Sequence, residues 1–153
     1  MPTRGPFAHI DLSIGDPARS IPFYEVFFEA LGYRRLRIAH PGFEGPRPRR
    51  AAWRVRHPNG SSFGIEVRPA RPESRDRAHD RYSPGLHHLA FHAASPDDVD
   101  RIHAALVRAG ARVLDPPTDY SGRAGYSEGY YAAFFADPDG LKLEVAHIPD
   151  SNP

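Results

Sequence analysis

The chain has 153 residues, which suits one domain of ordinary size. Twenty Lys+Arg face 19 Asp+Glu, a net charge of +1 that offers no general attraction for nucleic acid. Zero Cys excludes disulfides, thiolate metal sites and a cysteine nucleophile, and fits a cytoplasmic protein. No apolar run is long enough to cross a membrane, and MPTRGPFAH lacks the apolar stretch of a signal peptide. With 17 Pro and 13 Gly, short elements joined by many turns are expected.

Residues 7–14 alternate. Ala8, Ile10, Leu12 and Ile14 share one face, and His9, Asp11 and Ser13 share the other, as in a half-buried strand. Asp16-Pro17 then reads as a helix start, with a capping residue before a proline. Ile21, Tyr24, Phe28 and Leu31 form a helical apolar stripe that ends at Gly32. Phe23, Phe27 and Phe28 with Tyr24 make this helix apolar around more than half its girth. One face should pack on a sheet, and the surplus is a candidate contact for a homodimer. Strands are expected at about 33–39, 50–57 and 62–69. Pro46-Arg-Pro-Arg-Arg50 reads as an exposed loop before a strand rather than a nucleic-acid patch. Residues 70–84, which have no apolar period, read as a linker.

The pattern then recurs. His88 lies 79 residues after His9, with Leu89 and Phe91 in place of Ile10 and Leu12. Ser95-Pro96 repeats the helix start. Val99, Ile102, Leu106 and Ala109 repeat the stripe, and Gly110 the stop. Glu66 and Glu144 sit 78 apart in matching alternating strands. A near-constant offset across strand, helix and strand predicts two copies of a βαβββ unit. The second copy should have strands at about 86–93, 111–114, 130–136 and 141–148, with a long turn-rich loop at 115–129. Loops of that length are often lids or binding loops.

Each copy opens on a His and closes on a Glu, and by parity all four lie opposite the face a helix should cover. His9, Glu66, His88 and Glu144 are therefore candidates to converge in a cleft. Two imidazoles and two carboxylates, with one or two waters, suit a divalent ion of the Fe, Mn, Co, Ni or Zn kind. Arg68 should face the same way, either to hold a substrate carboxylate or to close a rim salt bridge. His92 shares the His88 face, as an acid/base or as a polar residue at the cleft mouth. Tyr120, Tyr126, Tyr130 and Tyr131 cluster at the long loop, where Tyr126 and Tyr130 are candidates to contact substrate.

Three stretches carry a family resemblance: Ala8-His-Ile-Asp-Leu-Ser-Ile14, Gly85-Leu-His-His-Leu-Ala-Phe91 and Tyr131-Ala-Ala-Phe-Phe-Ala-Asp-Pro-Asp-Gly-Leu-Lys-Leu-Glu144. Over nearly the whole chain it resembles the vicinal oxygen chelate superfamily, which includes glyoxalase I, bleomycin-resistance proteins and extradiol dioxygenases. The resemblance implies an α+β fold: one domain over 1–153 of two βαβββ modules, 5–70 and 84–149, forming an open barrel-like sheet around a metal cleft. It implies His9, Glu66, His88 and Glu144 as metal ligands, with Glu66 or Glu144 moving a substrate proton.

Within the family, a glyoxalase-like isomerase, lyase or epimerase acting on a small oxygen-chelating molecule is favoured, because both carboxylates are present. Ser13 and Ala70 stand where bacterial glyoxalase I typically has the Arg and Asn that hold glutathione, so a different substrate is implied. Extradiol dioxygenase chemistry is the alternative. It would use His9, His88 and Glu144 for iron, but Phe134 occupies that branch's Tyr position and residues 120–133 contain no His. A non-catalytic, bleomycin-resistance-like binder is the third reading.

Overall fold

The computed structural model describes residues 7–58 and 60–149. The chain divides into two compact units, Met1–Arg77 and Ala78–Pro153. The first contains β1 (His9–Ile14), α1 (Pro17–Ala30), β2 (Arg34–Arg35), β3 (Ala51–Arg56) and β4 (Ser62–Pro69). Its sheet runs β1-β4-β3-β2, with β1 parallel to β4 and the other pairs antiparallel. The second contains β5 (His88–His92), α2 (Pro96–Arg108), β6 (Arg112–Asp119), β7 (Tyr131–Ala136) and β8 (Lys142–His147), in the order β5-β8-β7-β6. The architecture is α+β, with the expected βαβββ unit occurring twice.

Strand register carries the repeat into three dimensions. In β1 and β4, His9 lies beside Gly64 and Asp11 beside Glu66. In β5 and β8, His88 lies beside Lys142 and Ala90 beside Glu144. The two ladders are the same apart from the offset. In each module the helix carries the chain from the first strand to the far edge of the sheet, and the antiparallel strands that follow return the last strand to lie parallel beside the first.

Local chemistry sets the helix limits. The Asp16 carboxylate accepts the Ala18 amide at 2.9 Å, and Pro17 occupies the first helical turn. Pro22 lies inside the helix, where it lacks the N–H that would bond the Ala18 carbonyl. Both residues are exposed, so water can take that carbonyl. Gly32 follows at φ +82°, a conformation that favours glycine. The Ser95 hydroxyl accepts the Asp98 amide at 3.2 Å, and Asp98 reaches back to the Ala94 amide at 3.0 Å.

Each helix seals one face of its own sheet. Tyr24, Phe27 and Phe28 of α1 are fully buried with Trp53, Ile65 and Val67. Tyr24 stacks on Phe28 at 5.3 Å, and Phe28 lies 5.0 Å from the Trp53 ring. The aromatic surplus of α1 is thus largely consumed inside its module. Val99, Ile102 and Leu106 of α2 are buried, as are Phe135, Leu143 and Val145 of the sheet it covers.

Two strands differ from expectation, and both lie at sheet edges. β2 shrinks to two residues, and Leu36 adds only one further hydrogen bond, to the Ala52 carbonyl. β6 is longer than expected and reaches Asp119 despite Pro116 and Pro117. Register shifts after Val113 and Asp115 absorb the prolines, which an edge strand tolerates because one side needs no donors.

Candidate functional site

In the first module, parity leaves His9, Asp11, Ala52, Arg54, Gly64, Glu66 and Arg68 on the sheet face opposite α1. With Leu36 and Ile38 they line a groove of about 520 Å³. Glu66 does not stand free in it. Its carboxylate accepts Arg50 Nε at 2.8 Å and also Arg50 Nη2. Arg68 approaches the same oxygen at 3.1 Å and pairs with Asp11 at 2.5 Å. Two carboxylates and two guanidiniums thus balance each other.

His9, Arg34 and Arg54 have no ion-pair partner among the described residues. Arg34 and Arg54 also lie directly opposite each other across β2 and β3, where like charges repel.

In the second module, Glu144 of β8 is only 3% exposed. Tyr130 donates its hydroxyl to Glu144 Oε1, and His88 Nε2 lies 3.1 Å from Oε2. Burial, and then the hydrogen bond to the carboxylate, push the Tyr130 phenol well above its usual range. His87 Nδ1 and His88 Nδ1 are 2.8 Å apart, so one ring donates to the other.

Tyr126 packs edge-on to Tyr130 at 4.8 Å and stacks on Tyr120 at 4.9 Å. Tyr120, Ala132, Phe134 and Ala146 form a buried cluster flanked by Tyr130, Leu114 and Ile148. The long loop therefore folds its aromatic rings onto the Glu144 side of the sheet and shields the carboxylate. His92 points to the same side and is exposed.

The structure thus joins His88, Glu144 and Tyr130 directly, with Tyr126 beside them. His9 and Glu66 share a face but are separated in chemistry, because Glu66 is taken up by arginines. Arg68 makes the salt-bridge arrangement, with Asp11 and Glu66. Arg50 was missed as a residue of this face. Its signal was parity with Ala52 and Arg54, masked by its place at the end of a proline-rich loop. Among the described residues, no three His, Asp or Glu side chains gather closely enough to hold a metal ion.

Comparison with known proteins agrees with this architecture. Residues 7–145 match the sequence pattern of the Glyoxalase/Bleomycin resistance protein/Dioxygenase superfamily. An uncharacterized protein of Bacillus subtilis (strain 168), YqjT, is 30% identical over 139 residues, covering 90% of this chain and 94% of its own. A provisionally named glyoxalase from Bacillus halodurans superposes with a TM-score of 0.69 at 24% identity, over 94% of this chain and 96% of its own. A glyoxalase/bleomycin resistance protein from Albidiferax ferrireducens T118 gives a TM-score of 0.58 at 27% identity, over 94% and 98%. Fold, repeat and sequence pattern agree: the chain belongs to the Glyoxalase/Bleomycin resistance protein/Dioxygenase superfamily.

Proposed function

We propose that this protein is a glyoxalase-type enzyme that moves a proton beside a carbonyl in a small oxygen-chelating molecule. The observation that carries this reading is Glu144: a buried carboxylate held by a phenol at one oxygen and facing an imidazole at the other. Tyr130 fixes the orientation of the carboxylate by binding Oε1. That leaves Oε2 as the atom to accept a proton and return it, with His88 able to share the charge. The aromatic rings of Tyr120, Tyr126 and Phe134 keep water from the carboxylate, which strengthens electrostatic interactions there.

Family membership makes a divalent ion the expected cofactor. His88 and Glu144 fit such an ion, because an imidazole nitrogen and a carboxylate oxygen already face each other from adjacent strands. Glu66 fits poorly in the arrangement seen, since two guanidiniums already neutralise it. His9 is the matching donor of the first module by sequence position. Nickel, cobalt, zinc, manganese and iron all suit this donor chemistry. When bound, the ion would polarise the carbonyl and stabilise the enediolate charge.

The test is turnover by metal-loaded protein of a panel of hemithioacetals and α-hydroxycarbonyl compounds in deuterated water. Wild type should incorporate solvent deuterium into substrate or product. Glu144→Gln should lose at least about 100-fold in rate, as expected for a removed general base. A folded Glu144→Gln protein with wild-type rates would overturn the assignment. Metal content of His9→Ala and His88→Ala, measured beside wild type, tests each as a donor.

A second reading is favoured by the Arg50–Glu66–Arg68 arrangement. With one carboxylate spent on arginines, the protein would bind a small ligand without turning it over. Saturable binding without deuterium exchange across the panel would support that reading.

A further inference from the structure

A second groove of the first module lies apart from the Glu66 face. It has a volume of about 1060 Å³ and lies at the C-terminal ends of β1 and β4, beside the first turn of α1. Four arginines line it from three separate segments: Arg19 of α1, Arg47 and Arg49 of the loop before β3, and Arg75 after β4. The acids on the same wall are Asp16 and Asp76. The Asp16 side chain is occupied in capping α1, and its backbone carbonyl accepts the Arg19 and Ser20 amides. The helix end therefore has its own hydrogen bonds, and the arginine side chains supply the charge.

Elsewhere Arg35, Arg50, Arg68 and Arg101 have each found a carboxylate. Arg47, Arg49 and Arg75 form no ion pair among the described residues. Four arginines against two carboxylates around one concavity leave it electropositive.

The scaffold under them is stiff. Pro46 and Pro48 alternate with Arg47 and Arg49, which fixes φ at the prolines and holds Arg47 extended. The Arg49 and Arg50 amides both donate to the Gly42 carbonyl, at 2.9 and 2.8 Å. Little backbone entropy is then lost when a ligand engages these arginines. Ile21 and the proline rings of the wall offer an apolar surface beside the charges.

We propose that this groove binds a small phosphorylated molecule carrying two or more negative charges, such as a nucleoside diphosphate. Guanidiniums match phosphoryl oxygens with paired hydrogen bonds, and the apolar wall suits an organic portion. A concave site on a chain of net charge +1 favours a small ligand over an extended nucleic acid. The proposal is independent of the reaction assigned to Glu144.

The test is calorimetric titration of the whole protein with ADP and with inorganic pyrophosphate at low and physiological salt. Comparison proteins are Arg47→Ala/Arg49→Ala, Arg75→Ala and, as a control at the exposed end of α2, Arg108→Ala. Circular dichroism checks each fold. Saturable ADP binding should weaken at least tenfold in the double variant and in Arg75→Ala, and stay unchanged in Arg108→Ala. Tighter binding of ADP than of pyrophosphate would place the organic portion on the apolar wall; equal binding would make the phosphates alone the ligand. No binding of either probe would overturn the proposal. So would unchanged affinity in folded variants, or Arg47- and Arg49-dependent binding of a single-stranded oligonucleotide tighter than that of ADP.

Discussion

Glu66 and Glu144 hold matching places in the two modules, and their neighbours give them opposite chemistry. Two guanidiniums contact the first, whereas a phenol and an imidazole contact the second. The same residue type at the same register is therefore an ion-pair hub in one copy and a shielded carboxylate in the other. Removing the charge at Glu66 leaves Arg50 without its carboxylate and Arg68 with Asp11 alone. Glu66→Gln should cost about 1 kcal/mol of stability, the upper end for partly exposed pairs, while leaving metal content unchanged. Urea denaturation beside elemental analysis checks this. Loss of bound metal with unchanged stability would restore Glu66 as a ligand. No sequence pattern foretold the difference. Arg50 belongs to this face only because β3 and β4 pair in the register that sets Ala52 opposite Glu66.

At the scale of elements, the two helices bury their apolar faces in different ways. α1 is aromatic over much of its surface and buries Tyr24, Phe27 and Phe28. α2 is amphipathic and starts in a capped first turn. There Asp98 accepts the Ala94 amide and the Arg101 guanidinium. Burial opposes its charge, but these bonds outweigh burial and hold the carboxyl below its ordinary range. The folded value is thus lower than the unfolded one, so the group stabilises the helix start above its unfolded pKa of about 3.9. That contribution is lost as pH falls through the lower folded value. Hydrogen exchange at the Ala94 amide should show lost protection below about pH 4, and Asp98→Asn should remove this acid dependence. Retention of the same pH dependence in the variant would assign it to another group. The helix starts could be read from Asp16-Pro17 and Ser95-Pro96 because capping is local. The edge strands could not, because β2 and β6 are limited by neighbours distant in sequence.

For the whole molecule, positive charge is concentrated locally while the total stays near zero. The Arg-lined groove and the Arg34–Arg54 pair are positive, but 19 acidic residues nearly cancel the 20 basic ones overall. Nonspecific duplex DNA binding at physiological salt should therefore be weaker than about 10⁻⁴ M, the weak end of the usual nonspecific range. Fluorescence anisotropy of a labelled random duplex checks this. Micromolar affinity would show that the local patches act together on a polyanion. No helix among the described residues is long and apolar enough to cross a membrane.

The repeat, the two helix starts, the parity of each His and Glu, and the Asp137-Pro138-Asp139-Gly140 turn between β7 and β8 were all readable in the chain. Each depends on periodicity or on contacts within a few residues. In the turn, Asp137 accepts the Asp139 and Leu141 amides, and Gly140 takes φ +90°. Two partners of the glutamates, the Arg50 guanidinium and the Tyr130 hydroxyl, came only from tertiary structure. Arg50 lies 16 residues from Glu66, and Tyr130 lies 14 from Glu144. Strand pairing and the fold of the loop after β6 bring them together. Alternation says which way a side chain points, but only the packed sheet decides which side chain it meets there.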